Sequence, residues 1–544
     1  MQQITDLLSQ INPDFIDLKD EINRNIDSLN KCIENEREQR FSQEDTFIIT
    51  YADQFIGKDH PTLFYLNEFI EKDLKGIISH VHILPFYPWT SDDGFSPTSY
   101  LEVDSRYGSW ADIKKIKAAK MFDCVFNHLS SKSEFFVKAL EGDKKYQDMF
   151  HFFSEEEYQD ETFQENLKKI VRPRVHPVMT KFDVKGESKY VWTTFSDDQI
   201  DVNLNNKNAF KYILESFFLY VENGARYFRI DAVPFLWKEL GTNCSHLEKT
   251  HLIVKLFRAI CEQLNFKTTI VTESNVPHEE NITYWGNGTD EAHLIYNFSL
   301  SPLILHALTF KDSSIIEKWG KEVFKFSNDT SFFNFTSTHD GIGMRGLEGI
   351  VPEIDIEELC AITIKQKGQI GRKMSRDGTI RPYELNITWA SFLKDNDLNE
   401  EMNIKKVVNS QGIIMFFPGV SAHYIHNFFG SYNWQEGFEE SGIARRLNRK
   451  KLDYPIKYTV REKSILDRML KLIEFKKSHD AFSPTAKIEF VHLDKRLISF
   501  KRSNSETFQI IFNLTKDEVV LSDNSLLIGP YELQIISKDS VFKF

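Results

Sequence analysis

The chain has 544 residues, 41% hydrophobic and 27% charged, with a net charge of −13. Such a length suits roughly two to four structural units, and the composition is that of a globular enzyme. The negative charge argues against nucleic acid or acidic membrane as partners, and an anionic substrate must then meet a local basic patch. Five scattered cysteines (Cys32, Cys124, Cys244, Cys261, Cys360) show no metal-ligand spacing, so reduced thiols in a cytoplasm are expected. The start MQQITDLLSQINPDF lacks the basic-then-apolar pattern of a secretion signal, and no run of about 18 apolar residues is present to cross a membrane.

Residues 1–45 read as a charged helical extension. Beyond them, β-rich apolar runs alternate with helical patterns, the signature of repeated βα units and a parallel sheet. Eight runs fit strands: 47–55, 78–86, 121–128, 226–233, 268–274, 294–299, 332–340 and 412–419. The expected fold is a (β/α)₈ barrel over 46–480, with its chemistry at the C-terminal ends of the strands. Two long excursions, 129–200 and 341–411, should shape the pocket. From 481 to 544 apolar and polar residues alternate, which predicts a small antiparallel β-domain.

Polar residues gather at the ends of these strands. Asp92 and Phe95 follow the second run, Asn127 and His128 end the third, Arg229 and Asp231 lie in the fourth, Glu273 in the fifth, and His339 and Asp340 in the seventh. A lone Asp at a strand end is usually a turn former, and a lone His is usually a structural hydrogen bonder. His80 and His82 share a strand face, but without a third ligand no metal site is expected. Three carboxylates on separate strands of one barrel carry more weight. Strand alternation places Arg229 beside Asp231, where a guanidinium should keep a carboxylate ionised, whereas Glu273 needs a raised pKa to donate a proton. A retaining pair of carboxyls should stand about 5–5.5 Å apart.

In order, DCVFNH, FRIDAV, VTESN and TSTHDG resemble the four signature regions of the α-amylase superfamily, glycoside hydrolase family 13. The resemblance implies that Asp231 is the nucleophile, Glu273 the acid/base and Asp340 the transition-state stabiliser. Longer stretches, among them HILPFYPWTSDDGFSPTSY, RPRVHPVMT, VWTTFSDDQIDVN and TESNVPHEENITYWGNG, look like the sucrose phosphorylase branch. Within it they are most similar to the group of glucosylglycerate, glucosylglycerol and sucrose 6′-phosphate phosphorylases. By that analogy Asp92 and Arg445 pair at the closed end of a glucose pocket, Phe95 forms its platform, and His128 and His339 bond the hydroxyls.

The branch implies a small-molecule α-glucoside as substrate, inorganic phosphate as co-substrate, no cofactor, and a monomer or homodimer. A phosphorylase must favour phosphate over far more concentrated water, so it needs an anion site. Arg174 in VRPRVHP and Tyr383 resemble residues of the phosphate and leaving-group side, and Glu384 lies beside them. The loop 368–386 adds Arg372, Lys373, Arg376 and Arg381, otherwise readable as a solvated basic surface. Three departures from the branch stand out: Asn275 where sucrose phosphorylases carry His, Arg381 where they carry an acidic residue, and Gly346 where the nearer group carries Pro. The added cation favours an anionic acceptor, with D-glycerate expected ahead of glycerol and fructose, and fructose 6-phosphate as the anionic competitor. A hydrolase or transglucosidase on the same scaffold is the rival reading. An inactive barrel serving as a binding subunit is a more remote one, since all three carboxylates are intact.

Overall fold

Strand sequences such as TFIIT and HVHI are buried on both faces. That is the condition of a parallel strand caught between a packed interior and outer helices. The computed structural model describes residues 2–33, 40–324, 329–374, 379–521 and 526–544. In it, β1 (Thr46–Thr50), β2 (His80–Ile83), β3 (Ala119–Cys124), β4 (Ala225–Ile230), β5 (Thr269–Thr272), β6 (Leu294–Tyr296), β7 (Ser331–Asn334) and β8 (Val420–Tyr424) close into a parallel barrel in chain order. The expected barrel class is therefore the observed one, with an antiparallel C-terminal sheet beside it.

The barrel interior is filled in layers. Near its base Phe47 stacks on His80 at 4.4 Å and meets Tyr227 and Phe333 edge-on at 4.9 and 5.1 Å. One step higher lies a polar layer: His82 Nε2 stands 2.7 Å from Asp123, and Asp123 in turn accepts from Arg229. Both histidines of β2 are thus committed inside the barrel, His80 through a 2.7 Å contact to Ser79. Among the described residues no cluster of His, Cys, Asp and Glu could hold a metal ion, and no helix is long and apolar enough to cross a membrane.

The N-terminal segment forms α1 (Gln2–Ile11) and α2 (Leu18–Cys32). Ile4, Leu7, Leu8 and Ile11 share one face of α1, the spacing of a stripe meant for burial. These helices dock on α3 (Lys207–Glu222) and α4 (Glu248–Cys261), which flank β4, and Phe15 stacks on Phe210 at 4.6 Å. Between β3 and β4 a three-stranded sheet (152–154, 179–184, 187–192) carries its own small core around Phe163, Met179 and Trp192. Between β7 and β8 a second small sheet pairs 342–343 with 380–386 and 369–374. The C-terminal sheet runs through 487–490, 497–503, 507–513, 533–536 and 541–543.

One expected strand is not a strand. The first five residues of the run 412–419 are the end of α5 (Glu400–Phe416), and β8 begins only at Val420. A short apolar run does not by itself distinguish a strand from a wholly buried helix turn. Here the helix wins because Asn399 caps it, its side chain accepting from Met402 N–H at 2.9 Å. The last turns of α5 are buried all round because they sit between the barrel, α6 (Val460–Lys477) and the C-terminal sheet.

Pro418 and Gly419 then stop the helix and turn the chain into β8. Gly419 has φ +136°, and a Cβ there would stand 2.5 Å from Asn334 Nδ2 and 2.9 Å from the Phe332 carbonyl oxygen. Gly419→Ala should therefore lower unfolding stability by about 1–3 kcal/mol. Denaturant unfolding checks this through a lower midpoint at constant m value; a loss below about 0.5 kcal/mol would show that the turn tolerates a side chain.

Candidate active site

On β4 the side chains of Tyr227 and Arg229 point inward, and the same alternation brings Asp231 to the barrel mouth. Strand register sets Arg229 level with Asp123 on β3. The buried guanidinium bonds Asp123, donates to Asp231 Oδ1 at 2.8 Å and stands 3.8 Å from Glu273 Oε2. Its plane lies over Tyr296 at 5.3 Å, so the aromatic floor also supports it. Beyond Asp231 the chain turns through Ala232 in the left-handed region, φ +46°. Asn127 fixes this turn, donating to the Asp231 and Ala232 carbonyls at 2.7 and 3.0 Å. Ala232 N–H donates to Glu273 Oε2 at 3.0 Å, which locks the two carboxyl-bearing strand ends together.

Opposite them sits a dense ionic knot. Arg445 reaches Asp340 at 3.0 Å and Asp92 at 3.3 Å, and grips Glu384 in a bidentate contact at 3.1 and 3.0 Å. Arg449, fully buried, reaches Asp340 at 3.2 Å, Asp92 at 3.3 Å and Asp93 at 2.8 Å. Arg446 adds a 2.6 Å contact to Asp93. Asp92 and Asp93 both adopt left-handed backbone, a strain that Asp tolerates better than most residues and that these arginines hold in place. Asp92 and Arg445 are thus brought together by the fold. Arg449, Arg446 and Asp93 were not anticipated, although the cluster ARRLNR was the available signal.

Asp92, Phe95, His128, Asp231, Glu273, Asn275, His339, Asp340, Tyr383, Glu384, Arg445 and Arg174 all line one cavity, and Arg229 lies just beneath it. Phe95 stacks flat on His339 at 4.8 Å. His128 Nε2 and Gln199 Nε2 donate to the Phe95 carbonyl at 2.7 and 2.8 Å, leaving the buried Nδ1 of His128 without a partner. His339 Nδ1 is likewise buried and unpartnered. Gln199, Phe195 and Phe298 also line it, and only the distance along the chain hid them from a reading of the sequence. At the mouth Asn275 Nδ2 donates to the Tyr383 carbonyl at 3.2 Å, and the Arg174 guanidinium covers the Tyr383 ring at 5.1 Å.

The basic loop divides differently from expectation. Arg381 does not line the cavity; it turns to Glu353 at 3.4 Å, because the ladder is bulged at Tyr383, with Glu384 opposite Gly371 but Pro382 opposite Arg372, so the two side chains need not share a face. Arg372 is exposed, Lys373 is buried against Glu348 at 2.6 Å, and Arg376 lies outside the described residues. Glu384 lines the cavity but is spent on Arg445. Gly346 also has a local cause: a Cβ there would stand 2.3 Å from the Phe298 carbonyl oxygen. Backbone contact, rather than any acceptor, accounts for that departure.

Known proteins share this arrangement of sequence and fold. The α-amylase catalytic domain profile matches residues 72–341. A glucosylglycerate phosphorylase of Escherichia coli (strain K12) is 38% identical over 505 residues, covering 90% of this chain and 89% of that one. The chain belongs to the α-amylase family. A glucosylglycerate phosphorylase of Allomeiothermus silvanus is 39% identical over 460 residues, 83% of this chain and 81% of that one. The crystal structure of sucrose 6F-phosphate phosphorylase from Thermoanaerobacter thermosaccharolyticum superposes with a TM-score of 0.76 at 23% identity, covering 92% and 98% of the two chains. That likeness is one of fold.

In this member of the α-amylase family the cavity's electrostatics divide its carboxyls. Burial pushes Asp231 up to about 8 against the pull of Arg229, with Glu273, Asp123 and Asp340 adding to the rise. Burial raises Glu273 as well, again opposed by Arg229. The pull of Arg229 towards the ionised form, expected from the sequence, is present but is opposed by the larger effect of burial, and Arg229 also serves Asp123. The two carboxyls titrate as a pair that retains a proton through neutral pH. Arg229 touches Asp231 more closely than Glu273, so it favours the state with the charge on Asp231 and the proton on Glu273. Asp340 differs: burial alone would raise it, but Arg445, His339 and Arg449 hold it well below the usual range. Burial keeps His339 neutral, its pKa lowered to about 3.

The sign of the Asp231 shift gives a stability test. The folded chain keeps a proton that the unfolded chain releases between about pH 4 and pH 8, so this group's contribution falls as pH rises through that window and is lost above it. Asp231→Asn should melt close to wild type at pH 4 and progressively above it towards pH 8. Thermal unfolding across pH reads the gap. A variant less stable than wild type at pH 8 would mean that Arg229 outweighs burial.

Proposed function

We propose that the protein is a retaining α-glucoside phosphorylase that converts glucosylglycerate and phosphate into α-glucose 1-phosphate and glycerate. In this reading Asp92, Arg445, Phe95, His128 and His339 seat the glucose ring. Asp231 attacks C1 while Glu273 gives its proton to the departing oxygen, so the glucosidic bond breaks as the ester to Asp231 forms. Asp340, held ionised by its arginines, faces the positive charge that develops on the ring. Glycerate leaves, and a phosphate oxygen then displaces Asp231 from C1 while Glu273 accepts the phosphate proton. Two inversions return the α configuration. Acid, base and nucleophile are all side chains, so the scheme calls for no metal or organic cofactor.

The observation that carries the reading is Arg174. Arg445 also lines the cavity, but it is neutralised by Asp92, Asp340 and Glu384, whereas Arg174 has no carboxylate within ion-pair distance among the described residues. A half-buried guanidinium at the mouth, aligned on Tyr383, suits a bidentate oxyanion, either phosphate or the carboxylate of glycerate. The phosphorylases similar to this chain over most of its length support the same assignment. Free thiols at all five cysteines fit a reducing cytoplasm.

The test runs the reaction backwards, from α-glucose 1-phosphate, and measures phosphate release with D-glycerate, fructose 6-phosphate, fructose and glycerol. D-glycerate should be the best acceptor. In Arg174→Ala its KM should rise about ten- to a hundredfold, the worth of a charge-assisted contact, with a smaller rise for glycerol. Glycerol or fructose outrunning both anionic acceptors would refute the glycerate assignment, and free glucose as the main product in ample phosphate would refute phosphorolysis.

A further inference from the structure

Behind Asn275, whose carbonyl accepts from Arg345, lies a second cleft. There Arg172 of the first insertion faces Arg345 and Lys373 of the second across a cleft of about 520 Å³, with His246, His251 and Glu280 also in its lining. A backbone bridge between Arg172 and Met374 ties the two insertions together at this point. The cleft abuts the glucose cavity. Arg345 Nη1 donates to the Asn275 carbonyl at 3.4 Å, and Arg172 stands two residues before Arg174.

The charges of the cleft do not balance. Arg345 and Lys373 share one carboxylate, Glu348, at 3.4 and 2.6 Å. Glu280 is engaged by His246 at 3.1 Å, and His251 turns to Glu291 at 2.8 Å. Arg172 has no carboxylate within ion-pair distance among the described residues. Among the described residues, Arg172, Arg345 and Lys373 stand against two carboxylates, Glu348 and Glu280, which leaves a surplus of one positive charge in the cleft on a chain whose net charge is −13. Lys373 is buried, and both burial and the nearby Arg345 push its ammonium down against the pull of Glu348. Cations crowded beyond their counterions in a concave, partly dry place attract anions and hold them.

We propose that this cleft is a second anion site, which takes a small oxyanion on Arg172, Arg345 and Lys373 and passes it to Arg174 at the mouth of the cavity. Phosphate and a carboxylate present the same forked oxygens, and either is accommodated. The site gives the anion an advantage over water. After the first displacement the glucosyl ester waits for an attacker, and an anion held next door raises the local concentration of the right one. The assignment does not depend on which acceptor leaves.

Tungstate, a phosphate-shaped anion with a strong anomalous signal, tests the site in crystals of the full chain. Density is expected among Arg172, Arg345 and Lys373 in the wild type and should be lost in Arg345→Gln. Kinetics of Arg345→Gln and Arg172→Gln identify the natural occupant. A phosphate KM raised about tenfold, with kcat at saturating phosphate within about twofold, marks phosphate as the occupant. A raised glycerate KM with an unchanged phosphate KM marks the acceptor carboxylate instead. No tungstate in the wild-type cleft overturns the site, and unchanged KM values for both anions overturn the hand-over. Tungstate binding is read without turnover, so its failure is separate from any failure of the phosphorylase reading.

Discussion

Arg229 is buried at the top of the barrel's interior, where it joins Asp123 on β3 to Asp231 beyond β4 and leans on the ring of Tyr296. Everything above it depends on this placement. The guanidinium is anchored from below by the His82–Asp123 contact, so it is a fixed charge rather than a mobile one. Removing one partner from a buried ion pair typically costs about 3–5 kcal/mol, because the other charge is left uncompensated. The chain thus keeps a costly polar layer inside its barrel, and what it obtains is a carboxylate poised at the mouth in a fixed orientation. The left-handed turn at Ala232, clamped by Asn127, extends that rigidity to Glu273.

The arginines around the cavity fall into two kinds. Arg229 and Arg449 are buried, Arg445 is partly so, and all three are matched by carboxylates, whose positions they fix at Asp231, Asp340, Asp92 and Glu384. Arg174 is half-buried and matched by an aromatic face instead. The first kind closes one end of the cavity with charges that cancel locally, the end that takes the sugar in the proposed function. The second leaves a positive group at the mouth, the end proposed for the anion. A site for a neutral glucose ring and a charged co-substrate needs both, and the contrast between them is the physical core of the phosphorylase reading.

Much of this was legible in the sequence, and the failures share a cause. The alternation in FRIDAV placed Arg229 and Asp231 on one face, and the order of strand-end carboxylates located the cavity before any coordinates. The run 412–419 misled because a helix buried on all sides has lost the periodicity that identifies it. Arg381 misled because its loop contains a strand with a bulge at Tyr383, and the register shift there separates Arg381 from Tyr383 although plain alternation would put them on one face. Gln199 reaches the cavity, and Arg449 with Asp93 braces Asp92 and Asp340 behind it, through tertiary packing of distant segments, for which a single sequence carries no local signal.

The most direct test of the account is to catch the ester on Asp231. Glu273→Gln, which lacks the base for the second step, can be treated with α-glucosyl fluoride, whose leaving group needs no proton, and then digested for mass spectrometry. The account predicts a gain of one glucosyl unit on the peptide containing Asp231, discharged as α-glucose 1-phosphate when phosphate is added. No adduct, or an adduct on another residue, would contradict it.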